Sequence, residues 1–218
     1  MTSTSSCLEK LSLAYQELDS DLVESILQNS ETLKVLHLYY CSGLSFKSIW
    51  IITSLDKLSE LNLGQTKLCR ESITYLCNNL TPNLEKICLD SVQVNDDDIQ
   101  KLTKRCNKLI ELDLSNCKEI TNISVTRILE NLSNSLVKLS LPYQIDDFYT
   151  LIELKTMSKL KYVSLARFRM DSAKKDSLKR RLTNIEINRE GLQIAYPGEY
   201  FDTKCTLWEI YCEQTDIS

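Results

Sequence analysis

The stretch LIELDLSNCKEIT, Leu109 to Thr121, decides how the rest of the chain is read. Leu112, Asp113 and Leu114 alternate with period two, which turns both leucines to one face of a strand and the aspartate to the other. The residues that follow, ISVTRILENL, carry Val125, Ile128 and Leu132 at i, i+3 and i+7. That spacing is the apolar stripe of a helix. Strand, turn and helix are thus completed in about 25 residues.

Seven further segments open in the same way: Leu8-Leu11-Leu13, Leu33-Leu36-Leu38, Leu58-Leu61-Leu63, Leu84-Ile87-Leu89, Leu136-Leu139-Leu141, Leu160-Val163-Leu165 and a degenerate Leu182-Ile185-Ile187. The starts fall at 8, 33, 58, 84, 109, 136, 160 and 182. A period this regular is the signature of a repeat architecture, here an α/β leucine-rich-repeat solenoid with a curved parallel sheet and helices on its convex face. Repeats over residues 1–190 leave no room for a second fold, and 191–218 read as a C-terminal tail. In the third and fourth units Ile73, Leu76, Leu80 and Ile99, Leu102, Cys106 continue the helix stripe.

Of the 218 residues 43% are hydrophobic and 26% charged, and no run approaches the roughly 18 apolar residues of a membrane helix. MTSTSSC has neither a basic region nor an apolar core, so no signal peptide is expected. Nine cysteines without a C-x-x-C pair do not suggest a zinc ribbon or a thiol-disulfide motif. Cys41 and Cys117 share one repeat position, where a small buried side chain closes the strand-to-helix turn. Buried free thiols point to a reducing compartment, nucleus or cytoplasm.

Only Met1 to Ser6 precede Leu8, too little to cap a terminal repeat. The expectation is a fragment, short isoform or incomplete gene product whose upstream part covers that edge. Asn95-Asp96-Asp97-Asp98 resembles a calcium ligand run, but it lacks the glycine and distant glutamate of an EF-hand and fits a helix N-cap. Between Lys155 and Arg181 ten Lys or Arg face two Asp, a local net of +8 in a chain of net −4. Lys179-Arg180-Arg181 reads as a solvated helix face, a nuclear localisation patch or a site for an acidic or phosphorylated partner. Nucleic acid is disfavoured by the acidic total and by the lack of aromatics interleaved with the basic residues.

After Ile187 come Tyr196, Tyr200, Phe201, Trp208 and Tyr211, too apolar for a free tail. Residues 195–218 reach roughly 80 Å when extended, against roughly 34 Å for eight strands, so the tail is long enough to run back along the concave face. Cys41-x-x-Leu44-Ser45 and Cys117-x-x-Ile120-Thr121 resemble the cysteine-containing leucine-rich repeats found in F-box proteins, and Trp208-Glu209-Ile210-Tyr211-Cys212 resembles the W-x-I-x-C segment that closes the S-phase kinase-associated F-box family. The likeness runs over nearly the whole chain, without an F-box. It implies a tail folded on the concave face and substrate recognition for a cullin-RING (SCF-type) ubiquitin ligase. It also implies phosphorylated cell-cycle proteins as substrates and a small cyclin-dependent-kinase accessory subunit as partner, with the ligase adaptor bound only if an F-box lies upstream. A free-standing repeat scaffold that recruits no ligase is the alternative.

Residues between the strand leucines project onto the concave face. One column is Ser12, His37, Asn62, Cys88, Asp113, Ser140, Ser164 and Glu186; the next is Ala14, Tyr39, Gly64, Asp90, Ser115, Pro142, Ala166 and Asn188. Candidate partner-binding residues are His37, Tyr39, Asn62, Asp90, Asp113, Tyr162, Arg167 and Trp208, the aromatics and Arg167 being favoured because recognition surfaces are rich in such groups. Tyr39 and Tyr162 read equally well as packing for the tail. His37, the single histidine, has no companion nucleophile or ligand motif and is expected to be a concave surface residue. Four glycines and no Walker-type loop leave no phosphate cradle, so neither a cofactor, a metal nor an enzyme is expected.

Overall fold

The computed structural model describes residues 8–145, 147–165 and 171–187. Strands and helices alternate without interruption: β1 Lys10–Ser12, α1 Ser20–Gln28, β2 Val35–His37, α2 Phe46–Thr53, β3 Glu60–Asn62, α3 Arg70–Asn79, β4 Lys86–Cys88 and α4 Asp96–Arg105. They continue as β5 Glu111–Asp113, α5 Asn122–Leu132, β6 Lys138–Leu141, α6 Phe148–Ile152 with a 3-10 turn at Glu153–Thr156, β7 Tyr162–Leu165, α7 Ser172–Arg181 and β8 Glu186–Ile187. The strands form one parallel sheet in sequence order, β1 to β8.

The middle residue of each strand faces the helices. Leu36, Leu61, Ile87, Leu112, Leu139 and Val163 are fully buried there, against the helix stripes Ile73-Leu76-Leu80, Ile99-Leu102-Cys106 and Val125-Ile128-Leu132. Each fully buried leucine or isoleucine contributes about 1.5–3 kcal/mol, so the core is the sum of many equivalent layers. Strands pack about 4.8 Å apart while helices with their side chains are about 10 Å wide. The helix layer is the wider one and takes the convex side.

The first five repeats turn out of their strands at one backbone position. Tyr15, Tyr40, Gln65, Ser91 and Asn116 all adopt positive φ, between 56° and 64°. There the amide still reaches the next repeat, as in Tyr40 N–H to Gly64 O (2.8 Å) and Gln65 N–H to Asp90 O (2.7 Å). The turn thus extends the ladder beyond the strand. Just past it, Cys41 Sγ donates to Leu13 O (2.8 Å) and Cys117 Sγ to Leu89 O (3.1 Å), the turn-closing role expected of that position. Burial pushes both thiols up from their ordinary pKa.

The run Asn95 to Asp98 caps α4 and forms its first turn. Asn95 and Asp98 form a reciprocal capping box, and the buried Asp98 carboxylate also receives Arg70 from α3. Asp96 reaches across to the next repeat and accepts from Thr121 and Ser124 at the start of α5.

In the last repeat the register differs from the expected one. Glu186 pairs with Tyr162 and Ile187 with Val163, so Glu186 does not stand beside Ser164. The leucine taken to open that unit, Leu182, is the residue that ends α7, its N–H bonded to Leu178 O. It holds the place that Leu80 and Cys106 hold after α3 and α4. The strand therefore starts two residues later.

Candidate protein-binding site

The concave face is built from three side-chain columns spaced two residues apart along every strand. The strand pairing confirms the middle column as Ser12, His37, Asn62, Cys88, Asp113 and Ser140, followed by Ser164. His37, Tyr39, Asn62, Asp90, Asp113 and Tyr162 accordingly share this face. Arg167, Trp208 and the tail 191–218 lie outside the described residues, as do Ala166 and Asn188.

Two repeats use the same local device. Asn62 Oδ1 accepts from Gly64 N–H at 3.0 Å, and Asp113 Oδ1 accepts from Ser115 N–H at 2.9 Å. A short polar side chain thereby satisfies the amide two residues on and fixes the exit of the strand. Asn62 and Ser164 are fully buried, and neither Asn62 Nδ2 nor Ser164 Oγ has a hydrogen-bond partner among the described residues. An unsatisfied buried polar group costs about 1–3 kcal/mol.

Asp90 is the hub of the turns. Its carboxylate accepts from Gln65 Nε2 (2.8 Å), Asn116 Nδ2 (2.7 Å) and Ser91 Oγ (3.1 Å). These three donors are the positive-φ residues of successive repeats, so one aspartate ties three turns together. Tyr39 lies beside it, buried, with its ring edge-on to Tyr15 at 5.5 Å. Burial and then the negative charge of Asp90 push the Tyr39 hydroxyl well above its ordinary pKa, so it stays a neutral phenol. The ring fits because the next repeat has glycine: a Cβ on Gly64 would come 2.9 Å from Tyr39 Cδ2.

Of the third column only Tyr162 is among the candidates read from the sequence. Glu60, Lys86, Glu111 and Lys138 stand side by side on adjacent strands with alternating charge. Lys86 Nζ lies 3.4 Å from Glu60 and 3.9 Å from Glu111, and Lys138 Nζ lies 3.2 Å from Glu111. His37 Nε2 joins the end of this row, 2.9 Å from Glu60 Oε1, with its side chain only 12% exposed. His37 is therefore a half-buried, paired residue of the concave face. Burial raises the Glu60 carboxyl, but the His37 hydrogen bond and the Lys86 charge outweigh it and hold the group below its usual range. Such half-exposed pairs add roughly 0–1 kcal/mol each; their larger effect is to leave this edge of the face neutral. The alternation was legible in the repeat register, two residues before the middle column.

Beyond β7 the surface is basic. Lys174, Lys179, Arg180 and Arg181 of α7 are exposed, and none forms an ion pair among the described residues. No group of three or more His, Cys, Asp or Glu among the described residues could hold a metal, and none of their helices is long and apolar enough to cross a membrane.

Comparison with known proteins places this geometry. A crystal structure of the Rad7 and Elc1 complex from yeast is similar with a TM-score of 0.63 and 18% identity, over 90% of this chain and 53% of that chain. Internalin C2 of Listeria monocytogenes is similar with a TM-score of 0.51 and 19% identity, over 82% of this chain and 79% of that one. At these identities the likeness is one of fold, a leucine-rich-repeat solenoid, and the chain spans about half the length (53%) of the yeast chain. Residues 1–215 match the family described as the SKP2 LRR domain, and nearly the whole chain is covered by that match. This protein, a leucine-rich-repeat domain built for protein interaction, belongs to the SKP2 LRR domain family.

Proposed function

We propose that the chain is the substrate-recognition part of an SCF-type ubiquitin ligase, holding a phosphorylated cell-cycle protein between the concave sheet and the basic end of the solenoid. Membership of the SKP2 LRR domain family carries this reading. One feature of the structure supports it. At the far end of the sheet Lys174, Lys179, Arg180 and Arg181 offer charge to a phosphate, for which arginine has the matching planar fork. The solenoid does no chemistry in this account: it binds and positions, and ubiquitin transfer belongs to other subunits. A cyclin-dependent-kinase accessory subunit would share the surface, and the cullin adaptor would join through an F-box upstream of these repeats. The location that goes with this role is nucleus and cytoplasm.

The test is pull-down by the purified chain from extract of its own cells, with and without prior phosphatase treatment. The reading predicts a defined set of proteins retained only when phosphorylated. Joint reversal of Lys179, Arg180 and Arg181 to Glu should reduce retention at least about tenfold, since each phosphate–arginine contact is worth roughly 1–3 kcal/mol. Equal retention after phosphatase treatment would remove the phosphate from the account. A longer transcript encoding an F-box, with co-purifying adaptor, supports the ligase role; phosphate-dependent partners without any adaptor on the longest transcript leave a repeat scaffold that recruits no ligase.

A further inference from the structure

On the helix layer, away from the concave face, the C-terminal ends of α1 and α2 frame a furrow with a cavity volume of about 490 Å³, within the roughly 300–1,000 Å³ range of small-ligand sites. Its floor is apolar, made by the buried Leu27, Ile51 and Leu55. One wall is Trp50, a residue 49% exposed. Glu31 and Asp56 bring two exposed carboxylates that form no ion pair among the described residues. Lys57 also reaches the rim, near enough to Glu9 for its charge to help lower that carboxyl.

Both helix ends turn negative dipole charge toward this space, and neither has a basic residue in its last turn. Their carbonyls are served instead by neutral groups: Ser30 Oγ donates to Ile26 O at 2.7 Å, and Ser54 Oγ donates to Ile51 O at 2.7 Å. Two repeats further on, the equivalent furrow is closed from within the chain. Arg105, in the last turn of α4, donates through Nε to Leu80 O at the end of α3. Arg105 is the residue 21 places after the start of its repeat at 84, and Ser54 is 21 places after the start at 33. The first furrow is open because serine stands where the later one has arginine.

We propose that the α1–α2 furrow is a docking pocket for an arginine side chain carried by a basic segment of a partner protein. The guanidinium would stack on Trp50, a better platform for it than for a compact ammonium, and hydrogen-bond to Glu31 and Asp56 with its fork of donors. The apolar floor takes its methylene stem. Charge complementarity extends outward, because residues 8–32 hold six acidic residues and one lysine. Of these acids Glu9 and Glu24 are neutralised by Lys34 and Lys47. A basic segment lying along α1 meets the remainder.

This contact is separate from the concave face and does not depend on the ligase reading. The experiment uses the 218-residue chain and two probes, acetyl-Gly-Arg-Gly-amide and its citrulline counterpart, which keeps the shape without the charge. The readout is the indole N–H resonance of Trp50, assigned by its loss in Trp50→Phe. A saturable shift with the arginine probe is expected, with binding at least about fivefold weaker for citrulline and in Glu31→Gln/Asp56→Asn, since a cation on a ring and carboxylates contributes about 1 kcal/mol or more. Ser54→Arg should fill the pocket from inside, abolish the shift and leave the fold intact by circular dichroism. No saturable shift, equal binding of citrulline, or full binding in Glu31→Gln/Asp56→Asn overturns the proposal. If Ser54→Arg disturbs the fold, the carboxylate variants, both at exposed positions, decide alone.

Discussion

Replacing Asp96 by alanine tests how consecutive repeats are joined. The carboxylate belongs to α4 but accepts four hydrogen bonds from the next unit: Thr121 N–H at 2.9 Å, Thr121 Oγ1 at 2.6 Å, Ser124 N–H at 3.2 Å and Ser124 Oγ at 2.5 Å. A hydrogen bond to a charged acceptor is worth about 1.5–3 kcal/mol, but these losses do not add. Ser124 N–H keeps a second acceptor, Thr121 O at 3.0 Å, and the exposed Thr121 hydroxyl can turn to water. The carboxylate is also half-exposed, so its charge is partly screened. What remains is the bond to Thr121 N–H, part of the Ser124 hydroxyl bond and the favourable charge at the start of α5, together about 2 kcal/mol.

Asp96→Asn keeps an acceptor and should cost about 1 kcal/mol. Burial pushes this carboxyl up, while hydrogen bonds from Ser124 and Thr121 pull it down further, so its folded pKa lies below the unfolded value. Its stabilisation is then fully present above the unfolded carboxyl pKa of about 3.9 and is lost as pH falls through the folded value. Urea denaturation of wild type, Asp96→Ala and Asp96→Asn between pH 3 and 8 measures all of this. The gap between wild type and alanine should be flat from about pH 5 upward and shrink below about pH 4. A cost under about 0.5 kcal/mol, or a gap that widens as pH falls, would refute the joint as described.

Two further substitutions probe the layers on either side. Leu112→Ala, at the centre of β5 and fully buried, should cost about 3–5 kcal/mol in the same assay, because a solenoid layer held by both neighbours collapses poorly around a cavity; a cost below about 1 kcal/mol would place Leu112 outside the core. Tyr40 is exposed and holds φ 56°, a conformation that costs a non-glycine residue about 1 kcal/mol. Tyr40→Gly should therefore be neutral or slightly stabilising, and clear destabilisation would mean that its contact with Tyr15, at 5.7 Å between ring centroids, outweighs the backbone strain.

Part of the concave face is legible in the order of the residues, because period two along a strand and a period of about 25 along the chain assign a column to every residue. Tyr39 and Asp90 fall on one surface in that way. Their relationship does not follow from it: Asp90 gathers Gln65, Ser91 and Asn116 only because all three take positive φ at the same turn, and neither glutamine nor serine announces that conformation. The last repeat misleads for a related reason. A leucine at a helix end and a leucine opening a strand look alike, and the hydrogen bond from Leu182 to Leu178 O tells them apart.

The order of the strands, the layer of helices above them and the apolar stripes between follow from spacing alone, since a period repeated along a chain leaves few ways to bury its leucines. Contacts between repeats are another matter. Whether a furrow is closed by Arg105 or left open beside Ser54, and whether Glu60 meets His37, Lys86 or both, depends on side chains a whole repeat apart being brought into contact. No local pattern encodes that contact. It exists only once the repeats have stacked.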